Sequence, residues 1–508
     1  MTSLTNTAVF AVDVTVDGRA WRPRSQRLLS VRTSSRLGQP AQCELTFAHG
    51  AQGAWPGGWK IGASLRLRVR GEADDLFAGE VTCIELVRAG GPLAARVRAY
   101  DVLHRLRKRQ QPRVFTDLTP ADLAERLTAG LGLAVHAAEP GPRLDRVVQH
   151  WQTDFELLTE VCTAAGLFPV VRGGTLHLAT LAGLDDPVLL RLGSSLWEAR
   201  VEANVDRASR RVTAIGWHPQ RAETLRHEAG DARDGRSSAL SADPGAVGVD
   251  GTAILVDQPG RSLDAVRGIA QSTLDIRAAG GVTLHGLAAG DAALWPGALV
   301  EVRGLDTAVD GRYVLTGTTH TLDTGGYQCS FTTQPPDPVP TPTAASVTLG
   351  RVTAVDDPDG IGRVRVSLPA LGDVDVGWLG VLCPGAGPGR GFVALPYPGD
   401  SVLVVLPHQS PADAIVLGSV YGTTKPPDPG VDGDAVRRWS LHTGDGQSIV
   451  VDDGEHRIRI ADRAGSYVEL APDTVRLHAE TDLVIDAPGK SMKIRASSVD
   501  FEHAPVGM

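Results

Sequence analysis

The chain has 508 residues, of which 42% are hydrophobic and 21% charged, and a formal net charge of −9. That length suits roughly three or four domains of about 100–200 residues each, and the negative balance argues against general affinity for nucleic acid. No run of roughly 18 apolar residues marks a membrane-spanning helix, and the opening MTSLTNTAVFAVDV lacks the basic region and apolar block of a signal peptide, so cytoplasmic synthesis is expected, with export left to another machine.

Up to about residue 112, apolar and polar residues alternate, as in SLRLRVRG (64–71), AGEVTCIELVR (78–88) and AARVRAY (94–100). A period of two predicts antiparallel strands with one wet face, uninterrupted by a long helix. The basic run RVRAYDVLHRLRKRQQPR (96–113) has two readings: a solvated strand-and-loop face, or a patch that meets an acidic partner subunit.

The segment 113–190 changes period. TPADLAERLTAGLGL predicts a helix entered at Thr119, with Pro120 at its first position and Leu123, Leu127 and Leu131 on one face, stopping near Gly130 and Gly132. TDFELLTEVCTAAG predicts a second helix, with Asp154 as cap and Gly166 as stop. LFPVVRGGTLHL predicts a hairpin about Arg172-Gly173-Gly174. Residues 191–335 return to strands, with one helix across SLDAVRGIAQSTLDIRA. QPPDPVPTPTAAS (334–346) holds five prolines in thirteen residues and reads as an extended linker, placed at 336–346.

Residues 347–425 read as a compact β unit. Val364, Val366 and Leu368 alternate along one strand and Val402, Val404 and Leu406 along another, with Gly360, Gly362 and Gly399 at tight turns. A five-strand barrel of the OB class fits, a class that often binds oligonucleotides. Its aromatic residues are Trp378, Phe392, Tyr397 and Tyr421, and its basic residues Arg351, Arg363, Arg365, Arg390 and Lys425, which supports a stacking platform poorly. KPPDPGVDGD (425–434) is a second linker, placed at 426–439. From Ser440 onward apolar residues come in pairs: Ile449/Val451, Ile458/Ile460, Val468/Leu470, Val475/Leu477, Leu483/Ile485, Met492/Ile494 and Val499/Phe501. The pairs begin about seven to ten residues apart, an internal repeat of very short strands.

The order DPDGIGRVRV, then W…V…P.AG.GRG…LP..GD.VLV, then IVLGSVYG resembles the gpV/VgrG OB domain. The motif positions are Gly360, Gly362, Arg363, Trp378, Gly399, Asp400, Gly418 and Tyr421. That family comprises the spikes of contractile phage tails, type VI secretion systems and extracellular contractile injection systems. PHQSPAD (407–413) departs from it, since relatives often carry an acidic Gly-Asp-x-Asp turn there. Upstream, residues 154–178 are similar to the family's helix-and-hairpin element, and residues 294–333 to the second barrel of its hub-type domain. The resemblance implies a mainly β chain: hub barrel 1 (1–112), a small α+β insert (113–190), hub barrel 2 (191–335), an OB-fold barrel (347–425) and a C-terminal intertwined trimeric β-helix, or β-prism (440–508). In relatives three copies form a pseudo-sixfold ring that mates a trimeric spike to a hexameric inner tube.

The paired apolar residues then have an expected destination. A lone strand pair is marginal in water, whereas burying each aliphatic side chain fully among three chains contributes about 1.5–3 kcal/mol. The prism core expected is Ile449, Val451, Ile458, Ile460, Val468, Leu470, Val475, Leu477, Leu483, Ile485, Met492 and Ile494. Val499, Phe501, His503, Val506 and Met508 would form a blunt tip face, which in relatives a PAAR-type protein with its own metal caps. The competing reading is a single-chain parallel β-helix of about three turns with uncapped ends.

No catalytic, cofactor or metal residue is expected. His320, His442, His456, His478 and His503 are scattered, with neither HExxH nor the HxH by which some related spikes hold iron. Asp445, Asp452 and Asp453 read as solvated turn carboxylates rather than calcium ligands, Ser419 as a strand end, and GPGRG (387–391) as a turn. Five dispersed cysteines read as buried free thiols. The gap KPPDPGVDGDAVRRWS is too short for the lysozyme domain that phage members can carry, and Met508 follows closely on the last pair, so a bare spike is expected. The resemblance implies a homotrimer with inner-tube, baseplate and PAAR-type tip partners and optional cargo effectors, without nucleic acid, touching a target membrane only on puncture. The compact length favours an extracellular particle or phage-like tail over type VI secretion. Two rival functions are a β-helical polysaccharide-degrading enzyme, which needs clustered carboxylates and aromatics, and an OB-fold nucleic-acid binder.

Overall fold

The computed structural model describes residues 12–21, 27–48, 59–88, 94–218, 221, 223–338, 340 and 342–501. It divides into two compact units, Met1–Val420 and Tyr421–Met508. Among the described residues, three α-helices interrupt a mainly β chain: α1 Pro120–Thr128, α2 Asp154–Ala164 and α3 Leu263–Gly281.

In the first unit the alternating segments fold as their period dictates. In Ser64–Val69 the residues Leu65, Leu67 and Val69 are buried while the arginines between them face water. Ser64–Val69, Phe77–Val87 and Ala94–Tyr100 are antiparallel neighbours. They belong to an eleven-stranded sheet that also takes in Leu196–Ala203, Val282–Ala289, Gly317–Asp323 and Gly326–Thr332. The seam is the antiparallel pairing of Arg27–Arg36 with Gly317–Asp323, from Gly317 opposite Arg36 to Leu322 opposite Val31. Strands far apart in sequence are thus joined into one hydrogen-bonded surface.

The basic run 96–113 is partly a solvated face, with Arg96, Arg105, Arg107 and Lys108 exposed, and partly tied into the fold. Its strand ends at Tyr100, and a short 3-10 turn over Val102–Lys108 buries Leu103, His104 and Leu106. Arg105 pairs with Glu80, Arg107 lies 4.9 Å over the Phe155 ring, and Arg109 and Arg113 both pair with Asp154. The apolar residues between the basic ones pull the segment inward, and carboxylates of the same chain pair with Arg98, Arg105, Arg109 and Arg113.

α1 starts as expected, with Thr119 and Asp122 exchanging side-chain-to-backbone bonds in a reciprocal capping box. α2 corrects the expected cap. Thr153 is the N-cap and forms the box with Glu156, while Asp154 is the first helical residue. Asp154 is fully buried and bonds Arg109 at 2.8 Å, Arg113 and the Gln149 amide at 2.9 Å, so its carboxylate serves an ion-pair cluster and not the helix end. The hairpin Phe168–Arg172/Thr175–Ala179 turns on Gly173 and Gly174, both left-handed at φ 57° and 79°, as a two-residue turn between twisted strands requires. α3, capped by Ser262, packs Val266, Ala270 and Leu274 on the sheet of Arg211–His218, Glu223–Ala229 and Thr252–Gln258.

The residues after 346 form a five-stranded antiparallel sheet of Ser346–Ala354, Val364–Leu368, Val374–Leu379, Ser401–Leu406 and Ile415–Ser419. Its two edges meet at a bridge between Val381 and Val416, with Leu382 N donating to Val416 O at 2.8 Å, which closes a barrel. Val364, Val366, Leu368, Val402 and Val404 fill the interior, and Val148 of the strand Leu144–Gln149 shares that core.

In the second unit, Val431–Asp432 and Ala435–Val436 make a small hairpin within the stretch read as linker. A five-stranded antiparallel meander follows: Arg438–His442, Ser448–Asp452, Arg457–Ala461, Tyr467–Ala471 and Thr474–His478. Neighbouring strands run antiparallel within the chain, which overturns the single-chain parallel β-helix for these residues.

Candidate functional site: an uncovered apolar sheet

Strand register sorts the meander's side chains. One face carries the row Leu441, Ile449, Ile460, Val468, Leu477 and the row Trp439, Val451, Ile458, Leu470, Val475, each residue opposite the next. The other face carries Ser440, Val450, Arg459, Glu469 and Arg476. There Arg459 lies 3.9 Å over the Tyr467 ring, Tyr467 stacks on His478 at 5.0 Å, and Arg459 reaches Glu469 at 3.4 Å. The polar face is largely satisfied within the chain, the buried Arg457 Nε excepted. The apolar face is not: its ten side chains remain 36–74% exposed. An isolated aliphatic residue on a surface needs no explanation, but a contiguous two-row field of them marks an interaction surface.

Eight of the twelve residues expected in a prism core lie on this face, from Ile449 to Leu477. Leu483, Ile485, Met492 and Ile494 follow the meander in non-strand backbone and are also exposed. Of the expected tip residues, Val499 and Phe501 are exposed, while His503, Val506 and Met508 fall outside the described residues. Sequence reading missed the first rung, Trp439 with Leu441; their i, i+2 spacing carries the same signal as the later pairs.

The motif positions of the OB barrel are spread around its turns and do not converge on a cleft. Gly360, Gly362 and Arg363 share a loop organised by Asp357, a residue the motif reading passed over. The Asp357 carboxylate accepts from the backbone N–H of Asp359, Ile361 and Arg363 and from the Arg363 guanidinium, and that guanidinium above all holds it well below the usual carboxylate range. Asp400 accepts from Tyr397 N at 2.9 Å beside Gly399 (φ 96°). Trp378 is half-buried, Gly418 lies in the strand Ile415–Ser419 and Tyr421 is exposed. Arg363 and Arg365 are occupied by Asp357 and Asp375, which removes two of the cations a nucleic-acid groove would use.

The departure PHQSPAD sits where the barrel meets the rest of its unit. Asp413 bonds Arg261 at 2.8 Å, and His408, at φ 53°, faces Asp257 at 3.3 Å. Arg146 donates to Asp375 O at 3.2 Å and lies so close to Gly377 that a Cβ there would come within 2.5 Å of its guanidinium.

Two of the remaining chemistry-bearing residues, His320 and Asp452, have structural partners. His320 is buried, its Nε2 2.8 Å from Leu294 O, and burial pushes it down to about 4. Asp452 is buried in its turn, accepting from Gly454 N and Glu455 N, so it is not a solvated carboxylate. GPGRG is a short hairpin and Ser419 ends a strand. Cys43, Cys162 and Cys329 are buried and free, and burial pushes Cys162 and Cys329 up to about 12; Cys83 and Cys383 are only partly covered. Among the described residues no group of three or more His, Cys, Asp or Glu could hold a metal ion. Also among them, no helix is long and apolar enough to cross a membrane.

Comparison with known proteins agrees with this architecture. The family model for the phage tail baseplate hub (GPD) matches residues 34–326, and that for the type VI secretion system/phage-baseplate injector OB domain matches residues 348–421. Among solved structures, the fold is similar to the Escherichia coli c3393 protein, described as a type VI secretion component similar to T4 bacteriophage tail proteins gp27 and gp5. That match has 14% identity, a TM-score of 0.53, and covers 80% of this chain and 99% of that one. It is also similar to the lidded Francisella PdpA-VgrG complex, at 8% identity and TM-score 0.55, covering 92% and 80%. A third is the 43 kDa tail protein of prophage MuSo2 from Shewanella oneidensis, at 14% identity and TM-score 0.50, covering 63% and 97%. No curated protein matches. Strand-joined hub segments followed by an OB barrel define a structural hub of phage-tail-like injection machinery. The chain belongs to the phage tail baseplate hub family, whose model spans more than half of it.

Proposed function

We propose that this hub protein works as the trimeric central spike of a contractile injection apparatus, with residues 440–508 of three copies forming a β-prism that is driven through a target envelope when the sheath contracts. The observation that carries the reading is the two-row apolar face of the meander, ten side chains left 36–74% exposed among the described residues. Three such faces turned inward give each other a dry core and contribute about 1.5–3 kcal/mol for each side chain fully buried. The charged face, already satisfied by Arg459, Glu469 and Tyr467, turns outward to water.

In this reading each chain brings two hub barrels to a pseudo-sixfold ring that seats on a hexameric inner tube among baseplate proteins. The strand-joined halves of the eleven-stranded sheet support it. Val499 and Phe501 lead toward a blunt apolar tip for a PAAR-type cap. The work is mechanical and not enzymatic: backbone ladders loaded together carry the thrust. Sedimentation velocity on the full chain tests it. A species of three times the chain mass is expected, with a needle in negative-stain images; a single well-folded subunit at high concentration overturns it.

A further inference from the structure

Two histidines stand side by side in the small sheet between α1 and the end of the hairpin. The strand Ala134–Ala137 adds in parallel to the open side of Thr175–Ala179 and forms the sheet edge, with His136 directly opposite His177. Alternation sends Leu176 and Leu178 into the core with Leu123 and Leu158. His177 and its in-register neighbours His136 and Val170 therefore share the opposite face. The two imidazole ring centres are 5.5 Å apart, with their planes at 64°.

His136 is exposed, while His177 is half-buried, its ring 5.3 Å from that of Trp295. Nδ1 of His177 is buried and has no hydrogen-bond partner. A buried polar atom left so carries a desolvation cost that a ligand at that nitrogen would offset. Burial first, and then the neighbouring His136, hold His177 below its ordinary value. Its imidazole is thus neutral at neutral pH, the form that ligates metals.

The spacing suits a shared ion. With metal–nitrogen bonds of about 2.0–2.1 Å, two imidazoles on one tetrahedral ion have ring centres roughly 5 Å apart. A small turn of the exposed His136 closes the difference. The nearest competing cation is already engaged, since Arg172 lies 4.7 Å over the Trp295 ring and pairs with Asp74 at 3.0 Å. Asp185 lies near enough to His177 to favour positive charge there.

We propose that His136 and His177 together bind one divalent transition-metal ion of the zinc, copper and nickel group, with water in the remaining positions. Imidazole suits these ions, whereas magnesium and calcium take oxygen ligands. The bound ion clasps the four-residue edge strand Ala134–Ala137 to the hairpin beside it. The site lies in the hub and does not rest on the spike reading.

Isothermal titration calorimetry of the full chain with zinc chloride at neutral pH tests this. A Kd on the order of 10 μM is expected for a site with two protein ligands, with no response to magnesium or calcium. His136→Gln and His177→Gln should each weaken zinc binding tenfold or more. His285→Gln, at an exposed histidine elsewhere in the hub, should leave it unchanged. Because His136 is exposed, its replacement should not alter metal-free melting, which checks that the variant is folded. In the wild-type chain with less than one equivalent of copper(II), electron paramagnetic resonance should show two imidazole nitrogens on the ion. Absence of zinc binding at about 1 mM, binding that survives either substitution, or a copper spectrum with fewer than two nitrogens overturns the proposal.

Discussion

The OB barrel and the C-terminal meander are both five-stranded antiparallel sheets with alternating aliphatic residues, yet they end in opposite states. In the barrel, Val402, Val404 and Leu406 are 0–5% exposed; in the meander, Ile458 and Ile460 are 41% and 52% exposed. The difference is closure. The barrel's edges meet at Val381 and Val416 and its sheet curls over its own side chains, whereas the meander's edges, Arg438–His442 and Thr474–His478, stay apart. Alternation therefore fixes which side chains share a face, and closure decides whether one chain can cover that face.

The sharpest way to break this contrast is to put a charge on the open face. Ile458→Asp is expected to abolish trimer formation, since it removes about 1.5–3 kcal/mol of burial at each of three symmetric positions and adds charges that must be desolvated. Dilution series in the analytical ultracentrifuge read the effect, and the melting of the first unit should be unchanged. Within the first unit, Asp154→Ala is expected to cost about 3 kcal/mol in urea unfolding. It leaves Arg109 and Arg113 unpaired, though both keep some contact with water.

A matched pair sharpens the comparison. Leu368→Ala in the barrel should cost about 2–5 kcal/mol at any protein concentration. Leu470→Ala in the meander should cost little in the monomer, and a penalty should emerge only as concentration favours association. If both penalties ignore concentration, the meander's face is already covered and the contrast fails.

The smallest expected effects are the pH slopes of the first unit. His320 is pushed down to about 4 by burial, so the unfolded chain binds its proton more readily. Stability is full above about pH 6.5 and declines, by up to about 3 kcal/mol, as pH falls toward 4. His320→Gln should remove that decline. Asp101 is pushed up to about 7 by burial, against the N–H groups of Ala41 and Leu103. The folded chain holds the extra proton there, so stability falls as pH rises from about 4 to about 7, and Asp101→Asn should flatten that fall. Melting temperature against pH for the two variants separates the opposed slopes.

Local signals carried much of this architecture. Thr119-Pro120 opened α1, Gly173-Gly174 set the hairpin, and strict alternation gave the barrel strands. The misread cap of α2 was also legible, because Thr153 and Glu156 stand at capping-box spacing; Asp154 competed as an equally good cap residue until its arginine partners were known. What no local pattern held was the seam between Arg27–Arg36 and Gly317–Asp323, whose partners are separated by most of the hub. Nor could sequence show that the arginines of 96–113 answer to Glu80 and Asp154, since such pairings exist only after the chain returns on itself.

The proline-rich stretch after Gln334 is the only covalent route from hub to barrel, but it is not what holds them together. Val148 is shared with the barrel core, Arg146 grips the Asp375 carbonyl and Arg261 pairs with Asp413. These side-chain contacts hold hub and barrel together independently of the peptide tie, so a protease nick in that tie should leave both halves seated on each other.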